Sequence, residues 1–160
     1  MATLPPPASG KHYRLRPLKR GDRDAVFRLL AADGWVVPAG EQETAISWVV
    51  QHPEMESFVA HDIASFSRVY GMITMSHRPQ LRLGGRVACI DLFVVLPEQR
   101  HKGIGHDLLA QALRRSEALG CKRVEVYLPP EKDERQQFFQ GNGFVRSLTD
   151  LWVRAPQGKK

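Results

Sequence analysis

Residues 87–96, VACIDLFVVL, give the strongest strand signal in the chain, and Pro97 closes it. Directly behind them, Pro97–Leu113 reads PEQRHKGIGHDLLAQAL. Arg100 and Lys102 are set against Gly103 and Gly105, and apolar residues at helical spacing follow at once. The pattern predicts a strand, a tight turn and a helix running from Ile104 to Leu119. Leu108, Leu109, Ala112, Leu113 and Ala118 would face inward, with Gly120 as the C-terminal cap.

A strand, a glycine-containing turn and a helix start together make an anion site. The first amides of a helix lack intrahelical partners, and the aligned dipoles leave partial positive charge there. Glycines let a phosphate approach the backbone with no Cβ in the way. Arg100 and Lys102 add charge, and His101 offers a donor. The run is not the dinucleotide fingerprint, because Leu108 stands where its third glycine would be, and no Gly-Lys-Ser/Thr follows as in a P-loop. His101 and His106 are five apart across the turn, which does not suit zinc, and no metal is expected. A turn with merely solvated charges fits the same residues.

The rest of the chain supplies a mixed set of elements. His12–Arg16 alternates and reads as a strand ended by Pro17. Asp22 is placed as the N-cap of a helix with Ala25, Val26, Leu29 and Leu30 on one face. EQETAISWVVQH predicts a second helix with Ile46, Val49 and Val50 facing inward and Trp48 in the core. SFVAHD, VYGMITMSH, RVEVYL, FVRSL and LWVR read as strands, with Gly84-Gly85 as a hairpin connection. KDERQQFFQGN reads as a helix starting near Asp133 and ending at Gly143.

At 160 residues, with 42% hydrophobic and 25% charged residues, the chain has the composition of one globular domain. Residues 1–11, rich in proline, are expected to form a flexible arm, 12–156 a single domain and 157–160 a short basic tail. MATLPPPASGKH has no apolar stretch of a secretory signal, and no run approaches the roughly 20 apolar residues of a membrane span. Cys89 and Cys121 form neither a disulfide framework nor a metal pattern, so a cytoplasmic location is expected. The net charge of +6 suits an anionic ligand, nucleic acid or a solvated surface. The basic residues are dispersed with no nucleic-acid-binding motif, so neither nucleic acid nor membrane is expected as a partner.

Ile90–Leu109, IDLFVVLPEQRHKGIGHDLL, closely resembles the acetyl-CoA-binding motif of the GNAT N-acetyltransferase superfamily, Arg/Gln-x-x-Gly-x-Gly/Ala after a strand ending in Val-x-Pro-Glu. Arg100, Gly103 and Gly105 fill it. QQFFQGNGFV is similar to the superfamily's late helix followed by Gly-Phe. The resemblance implies an α/β (mixed α+β) fold with a mostly antiparallel central sheet of six to seven strands and about four helices. It implies acetyl-CoA as co-substrate, its pantetheine pairing with the backbone of Phe93, Val94 and Val95. The pyrophosphate would then lie on the amides of Arg100, His101, Lys102, Gly103, Ile104 and Gly105.

The implied reaction is direct attack by a primary amine, on a small molecule or a protein, with an unpaired N–H near Phe93 or Val94 facing the oxyanion. Asp91 is the candidate general base, because Asp is depleted in strands and its presence in ACIDLFVV asks for a reason. Alternation would set it, partly buried, on the face of Phe93 and Val95. Glu125, His61 and His77 are weaker alternatives. Where many members carry a tyrosine acid this chain has Phe139, which leaves water, Asn142 or Tyr127 to assist the departing sulfur. That substitution also fits a catalytically silent domain that binds acyl-CoA as a sensor or structural module. Lys132 and Arg135 offer either a phosphate contact or a solvated helix face. Trp35 and Glu41, with Glu43, lie in the stretch from which the family draws acceptor specificity. Members often pair as homodimers, and FVRSLTDLWVR leaves both a monomer and a homodimer open.

Overall fold

The computed structural model describes residues 10–130 and 133–149; most of the proline-rich arm, Lys132, LWVR and the basic tail lie outside them. The chain divides into two compact units, residues 1–127 and 128–160. The first holds β1 (Tyr13–Pro17), α1 (Arg23–Ala32), α2 (Ala39–Gln51), β2 (Met55–Asp62), β3 (Ser65–Gln80), β4 (Gly85–Val95), α3 (Ile104–Ala118) and β5 (Cys121–Val126). The second holds α4 (Glu134–Gly141).

The strands form one sheet in the order β1-β2-β3-β4-β5. All neighbours are antiparallel except β4 and β5, which are parallel and joined through α3. A parallel pair needs such a crossover, whereas β2, β3 and β4 follow one another through short turns. The fold is mixed α/β with a mostly antiparallel sheet. The described residues hold five strands, fewer than the six to seven expected. Among the described residues Phe144–Leu148 forms no strand, Val145 and Leu148 are exposed, and LWVR, the strand expected beside it, lies outside them.

The sheet is covered on both faces. Val26, Leu29 and Leu30 of α1 and Ile46 of α2 bury against Val59, Val69, Met72 and Val94. On the other face, α3 packs on β2, β3, β4 and β5 and buries Ile104, Leu108, Leu109 and Ala112. Ala118 falls outside that stripe and is exposed, while Gln111 and Ser116 are buried in it. Trp48, expected in the core, is 71% exposed. It lies two residues from Ile46, and on a helix that spacing points to the opposite side.

Asp22 stands at the N-cap position of α1 but does not cap it with its side chain. Its carboxylate instead accepts both terminal nitrogens of Arg16, at 2.7 and 2.8 Å, and the amide of Lys19 at 2.8 Å. Both side chains of the pair are buried. Burial raises the Asp22 carboxyl, and the bonds from Arg16 and Lys19 outweigh it, holding the group below the usual carboxylate range.

In the second unit, Asp133 caps α4 by accepting from the Gln136 amide at 3.0 Å. Gly143, with φ +87°, follows the helix end, and Phe139 meets Phe144 edge to face with centroids 5.1 Å apart. Arg135 is paired with Asp133 at 3.3 Å.

Candidate active site

The turn after β4 takes the form its residues predict. Pro97–Gln99 makes a single 3-10 turn, Arg100 is extended, and Gly103 with φ +87° is the N-cap of α3. The first helical bond runs from Asp107 N to Gly103 O at 3.0 Å, so the amides ahead of it have no partner within the helix. A Cβ on Gly103 would lie 3.3 Å from the Tyr13 hydroxyl in a backbone conformation that side chains resist. His101 adopts φ +60° although it carries a side chain, so the turn holds local strain.

Side chains tie this turn down. Arg100 Nε donates to Val95 O at 3.1 Å, and its guanidinium lies 3.5 Å from Asp33 at the end of α1. Gln99 Oε1 accepts from Lys102 Nζ at 3.5 Å and lies 3.0 Å from His12 Nε2. The structure therefore brings Phe93–Val95 and Arg100–Gly105 into one continuous stretch: strand end, turn and helix start.

Beside that stretch the sheet opens. The β4–β5 ladder runs from Arg86↔Cys121 to Ile90↔Val126 and stops, although β4 continues to Val95 against β3. Every second N–H of β4 beyond Ile90 points to the side that β5 has left. Tyr127, 58% exposed, directly follows the last paired residue of β5.

Asp91 stands at the same point. Thr74 pairs with Leu92 and Met75 with Ile90, so Asp91 is one extra residue on β4, a β-bulge. Thr74 and Met75 point to opposite faces, and so must Leu92 and Ile90. The alternation that would have put Asp91 on the face of Phe93 and Val95 is therefore broken. Asp91 is exposed, not partly buried, and lies beside Cys89. Burial, then the charge and a hydrogen bond of Asp91, push the Cys89 thiol up to about 11, so it stays protonated near neutral pH.

Asp91 has no ion-pair partner among the described residues, whereas Glu125 is held by Arg123 at 2.6 Å and faces Arg78 at 3.9 Å. The two histidines are buried in structural contacts: His61 Nδ1 donates to Asp62 O at 2.8 Å, and His77 Nδ1 accepts from Arg86 at 2.9 Å. Trp35, 60% exposed, sits on the α1–α2 connection, and Glu41 is exposed in the first turn of α2. Glu43 there binds Arg20 and Arg23.

Several residues around the site carry roles that local patterns do not reveal. Gly71 faces β4, and a Cβ on it would lie 3.0 Å from Val94 O, 3.1 Å from Val95 and 3.3 Å from Ile104. The signal was a glycine inside a strand pattern, which marks close approach. Lys11 and Tyr13 both bond Asp107 in the first turn of α3, a contact 94 to 96 residues apart in sequence.

Residues 23–144 match the family model for the acetyltransferase (GNAT) family, a span that includes the turn, the bulge and the end of the β4–β5 ladder. No curated protein matches the chain. Among solved structures, a transcriptional regulator from Bacillus halodurans C-125 superposes with a TM-score of 0.79 at 20% identity, over 90% of this chain and 100% of that one. An acetyltransferase from Trypanosoma brucei gives 0.74 at 21% identity, over 89% and 99%. AAC(6')-Iy, in complex with the bisubstrate analogue CoA-S-monomethyl-acetylneamine, gives 0.77 at 19% identity, over 92% and 100%. At these identities the likenesses show a common fold, and the family match places the chemistry: the chain belongs to the GNAT family of acetyltransferases.

Proposed function

We propose that this protein transfers an acetyl group from acetyl-CoA to a primary amine, which attacks the thioester directly. The observation that carries the reading is the end of the β4–β5 ladder at Ile90↔Val126, next to a helix start whose amides lie open behind Gly103. The residues present suit the coenzyme. Phe93–Val95 is extended backbone beyond the reach of β5, and the turn combines a glycine cap with Arg100 and Lys102. Bound there, acetyl-CoA supplies an activated thioester.

The chain's own groups then have three tasks. Arg100–Gly105 binds the pyrophosphate through backbone amides and positive charge. The main-chain N–H groups of β4 beyond the bulge that point away from β3 stabilise charge developing on the carbonyl oxygen. Asp91, a carboxylate with no ion-pair partner among the described residues, attracts the acceptor's ammonium and takes its proton, directly or through water. Departure of the thiolate needs little help, since a thiol with a pKa near ~8.5 is a tolerable leaving group. Phe139 has no proton to give, and Tyr127 stands where the ladder ends.

The test is thiol release from acetyl-CoA over a panel of amines: small amines, an aminoglycoside, a peptide N-terminus and a lysine peptide. Wild type should release thiol with at least one of them. Asp91→Asn should be slower by about 10²-fold or more, most at lower pH, with CoA affinity unchanged. A pH–rate profile that overlays wild type would make Asp91 structural. The Phe139 substitution favours a second reading, a silent acyl-CoA binder, and tight CoA binding without thiol release from any amine would establish it.

A further inference from the structure

We propose that Lys11 and Tyr13 are positioning residues for the coenzyme: Lys11 neutralises the Asp107 carboxylate in the first turn of α3, Tyr13 holds it by a hydrogen bond, and together they keep it from opposing a diphosphate at that helix start. The inference rests on the reading of Arg100–Gly105 as the pyrophosphate site.

Asp107 is the fourth residue of α3, and its amide makes the first helical bond, to Gly103 O. A carboxylate there favours the empty helix, because it complements the positive end of the dipole. For the same reason it competes with an anionic ligand. It repels a diphosphate at the helix start. A site for a diphosphate therefore has no use for Asp107 unless its charge is compensated.

The structure supplies that compensation from the entry of β1. Lys11 Nζ and the Tyr13 hydroxyl both donate to Asp107 Oδ2, the second at 2.7 Å. Burial, and then the bond and charge of Asp107, raise the Tyr13 hydroxyl above its usual range. Burial pushes Asp107 up, and the bonds from Lys11 and Tyr13 outweigh it, leaving an ionised carboxylate with a matched cation. His106 is the other neighbour that lowers it.

Tyr13 is 2% exposed, and its hydroxyl lies 3.3 Å from where a Cβ on Gly103 would stand. His12, between the two donors, meets Gln99. The entry of β1 thus meets the turn at Gln99 and α3 at Asp107. Lys11 provides the charge, and Tyr13 provides a neutral donor and a rigid platform beneath the cap.

The experiment is a charge-reversal-free cycle on the full chain, with free CoA as the probe. Lys11→Met and Tyr13→Phe should each raise the CoA dissociation constant by about 3- to 10-fold and leave kcat unchanged. Asp107→Asn should bind CoA at least as tightly as wild type. The double variant Lys11→Met/Asp107→Asn should recover wild-type affinity, because the charge that needed compensation is gone; a merely structural contact would give losses that add. Pantetheine, which carries no phosphate, should inhibit wild type and Lys11→Met equally. Unchanged CoA affinity in Lys11→Met, or a double variant as weak as the single one, overturns the proposal. If Lys11→Met or Tyr13→Phe does not fold, a loss of CoA affinity in Asp107→Asn does so instead. Absence of CoA binding to wild type is a different result and removes the pyrophosphate reading itself.

Discussion

Arg16 and Asp22 show how much one pair of side chains decides. Each is buried, and the guanidinium also donates to Phe66 O at 3.0 Å with its Cζ 4.7 Å from the Phe66 ring centroid. Removing one partner of a buried pair leaves the other charge without compensation, which costs about 3 kcal/mol or more. Asp22→Asn should therefore lower Tm at pH 7 by roughly 6–12 °C, read by thermal denaturation. Asp22 titrates lower in the folded chain than the ~3.9 of an unfolded one. Its contribution is complete above that value and lost as pH falls through the folded one, so wild type and variant should converge in acid. Asp22 was legible in sequence as a residue at a helix start. That Arg16 would claim its carboxylate was not, because the claim is made in three dimensions. Trp48 is the same lesson in reverse: its hydrophobicity spoke for the core, and its angle around α2 decided otherwise.

At the level of elements, strands and helices were legible wherever one period ran unbroken. β4 and the turn into α3 stood out because apolar run, proline, glycines and helical spacing agree. The bulge did not, since it exists only relative to the register of β3. Gly71 joins the two. It lets β3 approach β4 and the first residue of α3 more closely than a side chain permits. Gly71→Ala should cost about 1–3 kcal/mol by overpacking. Because Ile104 is among the atoms displaced, CoA affinity should fall as well. Thermal melts and a CoA titration on one sample check both, and a variant with wild-type Tm and affinity would show that β4 simply gives way.

For the whole molecule, a net charge of +6 and an open helix start favour an anionic ligand. Free CoA at about 100 times its dissociation constant should stabilise the fold by roughly 2.7 kcal/mol, raising Tm by about 5–10 °C. NADH, another nucleotide diphosphate, should do far less; an equal shift would make the site a general anion trap. The order of the described elements was readable from the chain, while the strand expected at Phe144–Leu148 does not form among the described residues, because an alternating pattern alone does not supply a pairing partner. No helix among the described residues is long and apolar enough to cross a membrane.

The extra residue in β4 has a consequence for how this fold tolerates change. Side chains alternate with a period of two, so deleting almost any single residue of β4 turns part of the strand inside out. Asp91 is the exception: without it, Ile90 and Leu92 become neighbours on opposite faces, where they already are. The strand would pair more regularly, and the hydrophobic layers would not notice. The proposed base is thus the one member of β4 that the architecture can spare, so chemistry and scaffold are free to vary independently there.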